Sequence, residues 1–294
     1  MAQVDIGDGR QLEVVEGGDA AGLPVIVHHG TPGAAVLHPE WEAIAGVEGL
    51  RLVTYSRPGY GLSTRDPGRV VADAARDTAA LADALGFDRF LSFGFSGGGP
   101  HVLACAALLP DRVVAVASLA SVAPYDAPGL DFLDGMGEGN VEEFGRVRDG
   151  GEEAIRPFAE EEAAAMRDAT QQDLVDVMAG VLSDADADEL RGPIGATLLR
   201  HFRHGLSVSV EGWVDDDLEL VRPWGFDPGD TRVPVLLWQG RHDAMVPFGH
   251  GEWLAARIPG VDARLSEDDG HLSLLTRRAP EVLRWLRERW DACG

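Results

Sequence analysis

Gly94-Phe95-Ser96-Gly97-Gly98 constrains what this chain can fold into more than any other stretch. It follows Phe90-Leu91-Ser92-Phe93, a short aromatic run that reads as a buried strand. It precedes Pro100 to Leu109, where Val102, Leu103, Cys105, Ala106 and Leu109 give a helix an apolar face. A serine on so sharp a strand-to-helix turn is pushed out of the backbone with its hydroxyl exposed. The flanking glycines are needed because a Cβ would clash as the two elements close together. The first amides of the helix point back at the same spot, where they can stabilise a developing oxyanion. That is the geometry of a nucleophile.

A nucleophilic serine needs a base and an orienting acid, placed at later strand ends. Val235-Leu236-Leu237-Trp238-Gln239 reads as a second buried strand and breaks into Gly240-Arg241-His242-Asp243, which puts Asp243 in a loop at a strand's carboxyl end. Ala263-Arg264-Leu265 is a shorter strand-like segment leading to Glu267-Asp268-Asp269-Gly270-His271, with a helical pattern directly behind. His271 is therefore expected in a loop after the last strand. Asp126, which follows the Val113 to Leu119 strand, is the rival acid, and Asp243 is preferred. Asp268 and Asp269 lie too close along the chain to face the His271 ring.

The order Ser96, Asp243, His271 resembles that of the α/β-hydrolase fold superfamily, and two further motifs carry the likeness over nearly the whole chain. Val25-Ile26-Val27-His28-His29-Gly30-Thr31-Pro32-Gly33 is similar to the family's strand ending in His-Gly, whose following loop donates an oxyanion-hole amide. Carried over by position, the donors are the backbone N–H groups of Thr31 and Gly97. Tyr55-Ser56-Arg57-Pro58-Gly59-Tyr60-Gly61-Leu62-Ser63 looks like the family's Asp-x-Arg-Gly-x-Gly-x-Ser loop, with departures at Ser56 and Pro58. The resemblance implies an α/β fold, a mostly parallel sheet with helices on both faces, and acyl transfer: an ester, thioester or lactone of a small apolar molecule cleaved through an acyl-enzyme. Serine rather than aspartate at position 96 argues against epoxide hydrolase and haloalkane dehalogenase chemistry. A proline-iminopeptidase-like aminopeptidase is the alternative within the class, although Ala34 and Gly97 depart from its pattern. A non-catalytic small-molecule receptor, or an oxygenase or perhydrolase side activity, are alternatives outside it.

The alternation of strand and helix runs from Val25 to Leu119 builds the parallel sheet, and a hairpin around Val4 to Ile6 and Leu12 to Val15 supplies an antiparallel edge. Between Pro124 and Arg232 the strand signal gives way to helical patterns such as Leu174, Val177, Met178, Val181 and Leu198, Leu199, Phe202, Leu206. The expected organisation is a core of residues 1–123 and 232–294 with a helical cap at 124–231. Gly135 to Gly139 and Gly145 to Gly151 read as joints in that cap. Since Ser96, Asp243 and His271 all lie outside it, excising the cap should leave them assembled. Phe95, His101 and Trp213 are the expected substrate contacts, with Phe132, Met136, Phe144, Trp224 and Phe226 as further candidates for the roof. His29 is expected to hold the oxyanion loop. Glu160-Glu161-Glu162 reads as an exposed helical face.

All 25 basic residues are arginine, against 49 acids, for a net charge of −24. That balance excludes nucleic acid and anionic membrane surfaces as partners, and the absence of lysine excludes a Schiff base, a P-loop and a kinase-type lysine. Two cysteines make no disulfide framework. No apolar run is long enough for a membrane span, and the first ten residues lack a signal pattern, so a cytoplasmic protein is expected. No metal-ligand spacing or dinucleotide fingerprint is present; no cofactor is expected, and the partner is a small-molecule substrate.

Overall fold

The computed structural model describes residues 1–178 and 182–293. Its strands are β1 (Ala2–Asp5), β2 (Gln11–Gly18), β3 (Leu23–His28), β4 (Leu50–Tyr55), β5 (Phe90–Phe95), β6 (Val113–Leu119), β7 (Val235–Gly240) and β8 (Asp262–Ser266). Its helices are α1 (Pro39–Val47), α2 (Asp73–Ala84), α3 (Gly99–Leu108), α4 (Glu138–Asp168), α5 (Gln171–Met178), α6 (Asp184–Arg191), α7 (Pro193–Gly205), α8 (Glu211–Leu220), α9 (Phe248–Arg257) and α10 (His271–Ala292). The strands form one sheet in the order β1-β2-β4-β3-β5-β6-β7-β8. The pairs β1–β2 and β2–β4 are antiparallel, and every later neighbour is parallel. This is the expected hairpin edge on a parallel sheet.

Side chains alternate between the two faces of the sheet, as the strand period of two requires. Ile26, Val53, Val116 and Leu237 join one core with α2, α3 and α9. Val25, Val27, Leu52, Leu91, Phe93, Leu236 and Trp238 join another with α1 and α10. Strands buried on both faces carry near-continuous apolar runs, which is why they were legible as strands. Burying each such side chain stabilises the fold by about 1.5–3 kcal/mol relative to exposure.

Between β6 and β7 the chain forms the helices α4 to α8, the helical insertion the sequence anticipates. The glycine run at 145–151 lies within α4, and the helix breaks at Gly151, where φ is +57°. Val181 lies outside the described residues. The insertion has its own core, in which Val147, Ile155, Ala159, Trp213 and Val214 surround Tyr60. Among the described residues no helix is long and apolar enough to cross a membrane.

One feature of the insertion works against stability. Asp217 of α8 is 1% exposed, and neither of its carboxylate oxygens meets an N–H or O–H donor. Glu143 of α4 lies against it and accepts a hydrogen bond from Trp213 Nε1 at 2.6 Å. Burial, together with the charge of Glu143, raises the Asp217 carboxyl well above the usual range, so the two acids share a proton. The unfolded chain releases that proton at ordinary carboxylate pH, whereas the folded chain keeps it. The folded state therefore binds more protons, and stability falls as pH climbs from the ordinary carboxylate range toward the raised folded value. Asp217→Asn reduces this slope, since its amide can donate to Glu143 at any pH. Thermal unfolding should show the variant unchanged near pH 4 and about 2 °C or more above the parent at pH 8; a variant that is less stable at pH 8 contradicts the shared-proton reading.

Candidate active site

Ser96 opens a single 3-10 turn between β5 and α3, with φ at +55° in the left-handed region that a side chain adopts only under constraint. The constraint is close packing. A Cβ on Gly94 would collide with the carbonyl of Gly98, and one on Gly98 with the carbonyl of His28 at the end of β3. Strand, turn and helix can close this tightly only with hydrogen at both positions.

His271 reaches the same region from the other side of the sheet's carboxyl edge. Its Nδ1 donates to Asp243 Oδ2 at 2.8 Å, and both side chains are at most 2% exposed. Asp243 is held in turn by Gln239 Nε2 at 3.1 Å and by the amides of Met245 at 2.9 Å and Val246 at 2.7 Å. With Nδ1 donating, Nε2 of the neutral ring carries the lone pair. Burial opposes protonation of this ring, but the charge and hydrogen bond of Asp243, joined by the charge of Asp186, outweigh it and raise its basicity. His271 is not in a loop, as its position after β8 suggested; it is the first residue of α10, with Gly270 as N-cap. Asp126 is exposed and lines a separate surface groove with Trp224 and Trp253, so it makes no approach to His271.

Ser96 and His271 both line a cavity of about 110 Å³, together with Thr31, Phe95, Trp41 and Phe202. Among the described residues no carboxylate lines it. Of the three expected substrate contacts only Phe95 reaches this space. His101 is 1% exposed and its Nε2 is paired with Glu219 at 2.7 Å; Trp213 is buried in the insertion's own core. Phe132, Met136, Phe144 and Trp224 likewise fill core rather than roof, and partly buried Phe226 packs against them. The insertion instead lines the cavity with Met178 from α5 and with Ile194, Leu198 and Phe202 from α7. Leu198 and Phe202 belong to the apolar stripe visible in the sequence; the aromatic residues were misleading because they are large enough to anchor a core wherever they fall.

The loop after β3 passes directly over the turn. A Cβ on Gly97 would lie 3.3 Å from the Thr31 amide nitrogen, and one on Gly30 would lie 3.3 Å from Ser96 Cβ. His29 braces this loop: its Nδ1 donates to Gly30 O at 2.7 Å and its Nε2 accepts from the Arg57 amide at 3.1 Å. Burial, followed by the nearby Arg57 charge, holds the His29 ring well below its usual basicity, so it stays neutral.

Arg57 then ties the loop to the insertion. Its guanidinium donates to the carbonyls of His29 and Gly30, to Thr31 Oγ1 and to both oxygens of Asp216. Asp216, from α8, has 0% exposure and also accepts from Thr31 Oγ1 at 2.6 Å, Tyr60 Oη at 2.8 Å and Arg69 Nη2 at 2.5 Å. Burial works against this charge, but Arg57 and Arg69 outweigh it and hold the carboxyl well below the usual range. Sequence reasoning passed over Asp216. The signal was available: Asp215, Asp216, Asp217 and Glu219 crowd one turn of a helix that also carries Trp213, Val214 and Leu220. Such a helix has no side on which all its acids can meet water, so some must be buried against cations.

A family model for the alpha/beta hydrolase fold matches residues 24–277, and the chain belongs to that family. It is 32% identical over 300 residues to a non-heme chloroperoxidase of Streptomyces lividans, covering 96% of each chain. It is 25% identical over 282 residues to an uncharacterised hydrolase, YcgS, of Bacillus subtilis, covering 94% of this chain and 93% of that one. The structure of a thermophilic esterase from Thermogutta terrifontis superposes with a TM-score of 0.66 at 23% identity, over 98% of both chains.

Removing a single member of a buried charge cluster leaves its partners uncompensated. Asp216→Ala leaves Arg57 without a carboxylate and Arg69 with Glu219 alone, and should cost about 3–5 kcal/mol in urea unfolding. A loss below about 1 kcal/mol would show that the cluster carries little of the fold.

Proposed function

We propose that the protein is a serine hydrolase that cleaves esters of small apolar carboxylic acids through an acyl-enzyme on Ser96. The observation that carries this reading is the 2.8 Å His271–Asp243 hydrogen bond, with His271 and the strained Ser96 on the wall of one cavity. Ser96 Oγ attacks the carbonyl carbon as His271 Nε2 takes its proton, and Asp243 keeps the ring in the tautomer that can do so. The amides of Thr31 and Gly97 receive the oxyanion. The tetrahedral intermediate collapses, the alcohol leaves with the proton from His271, and water repeats the sequence to release the acid. The insertion, read as a cap, excludes bulk water from these steps.

The cavity narrows the substrate. At about 110 Å³ it is somewhat smaller than a cavity that accepts a benzene ring, so it suits an acyl group of roughly five heavy atoms. The missing carboxylate counts against an aminopeptidase, whose substrate brings an ammonium group that needs a counter-charge.

Three measurements test this. A fluorophosphonate should label Ser96 alone, and Ser96→Ala should lose the label and on the order of 10⁶ in turnover. Asp243→Asn should fold normally and lose about 10³- to 10⁴-fold in kcat, whereas Asp126→Asn should be mild. Among p-nitrophenyl esters, kcat/KM should peak near four carbons and fall about tenfold by eight. Near-normal turnover by Ser96→Ala on the best ester would sink the mechanism. Labelling without turnover on any ester, lactone or anilide would instead favour a receptor.

A further inference from the structure

His271 occupies a place that is poor for a general base. As the first residue of α10 it sits at the positive end of a helix of 22 residues, which disfavours a cationic imidazole, and its burial adds to the penalty. A carboxylate from the insertion occupies that end. Asp186 of α6, with 0% exposure, accepts the His271 amide on Oδ2 at 2.8 Å. Its Oδ1 accepts the Ser273 amide at 2.8 Å and Ser273 Oγ at 2.9 Å. Ser273 Oγ accepts the Gly270 amide at 2.8 Å, so the Gly270, His271 and Ser273 amides are satisfied as one unit built around Asp186.

The contact is shaped from both sides. A Cβ on Gly270 would collide with the Asp186 carboxylate, so glycine there leaves the room the acid uses. Gly270 has φ −101°, which any residue can adopt, and its smallness therefore serves the contact rather than the backbone. On the insertion side, Ser183 Oγ caps α6 by accepting the Asp186 amide at 3.2 Å, and Glu189 accepts from Arg277 Nε of α10 at 2.9 Å.

We propose that Asp186 is a positioning residue for His271: seated on the first amides of α10, its carboxylate fixes the start of that helix and the ring it carries, and offsets the positive end of the helix. The charged groups that reach the ring are Asp243, from the loop after β7, and Asp186 from α6. The reaction centre is thus complete only with the insertion docked. This role rests on the serine-hydrolase reading above.

The test compares Asp186→Asn and Gly270→Ala with the parent on p-nitrophenyl butanoate. Asparagine keeps the shape but loses the charge and one acceptor, and alanine displaces the carboxylate without removing it. In both, kcat/KM should fall about tenfold, mostly through kcat, with KM changed less than twofold. With less negative charge beside the ring, His271 protonates at lower pH. The acid limb of the kcat/KM profile should therefore move down by about half a pH unit. Fluorophosphonate labelling of Ser96 should slow in step with kcat/KM. The double variant should be no slower than the slower single one, because both changes remove the same contact. If Asp186→Asn does not fold, Gly270→Ala carries the same readings.

An acid limb that stays in place, a loss explained by the unfolded fraction in circular dichroism, or losses that multiply in the double variant would each overturn the proposal. Ser96→Ala run alongside separates the two readings. A parent whose turnover survives that change refutes the acyl-enzyme and this role with it. Ser96-dependent turnover with unmoved profiles refutes the role of Asp186 alone.

Discussion

A buried carboxylate can persist only where every lone pair is met and its charge is balanced, and Asp216 imposes that condition on the loop beside Ser96. Thr31, Arg57, Tyr60 and Arg69 all donate to it, and they come from two different connections of the core. Arg57 in turn grips the carbonyls of His29 and Gly30. Carbonyls fixed on one side leave the following amides facing the other, so the aim of the Thr31 N–H depends on an acid that belongs to α8. A lysine could not serve in the place of Arg57, because one ammonium cannot span two carbonyls, a hydroxyl and both oxygens of a carboxylate.

The core and the insertion are therefore less separable than residue numbers suggest. Ser96, Asp243 and His271 lie outside residues 124–231, which is the ground for expecting them to survive excision of that span. The structure adds contacts that cross this boundary. Asp216 holds the Thr31 side chain and Asp186 holds the first amides of α10, and both acids lie inside the insertion. Excision would expose the apolar underside, and it would also strand Arg57 and Arg69 while uncapping the helix that begins with His271.

The strands could be read because each carries its evidence locally. Val113 to Leu119 is apolar except for Ser118 and pairs on both sides, and its bounds were legible to the residue. The Gly-x-Ser-x-Gly turn was legible because its glycines answer a steric demand within a few residues. Asp243 and His271 could be placed because strand ends mark where they fall. The insertion's contribution was not legible, since it depends on contacts between residues more than 80 positions apart, such as Asp186 with His271. Trp213 and His101 misled for the opposite reason. Aromatic and imidazole side chains suit a binding site, but Glu143 and Glu219 pair with Trp213 Nε1 and His101 Nε2 inside the protein.

Asp216 and Asp217 show how sharply local environment divides one residue type. They are adjacent on α8 and both almost fully buried, yet successive side chains of a helix point about 100° apart. One direction meets two guanidiniums, and the carboxyl is held ionised; the other meets Glu143, and a proton is retained. Charge on the first is required to hold the loop over Ser96, while charge on the second would repel α4 from α8. The net charge of −24 thus conceals groups of opposite consequence. Only the position of each acid around its helix, and the cation or carboxylate it meets there, decides whether it holds the site together or strains it.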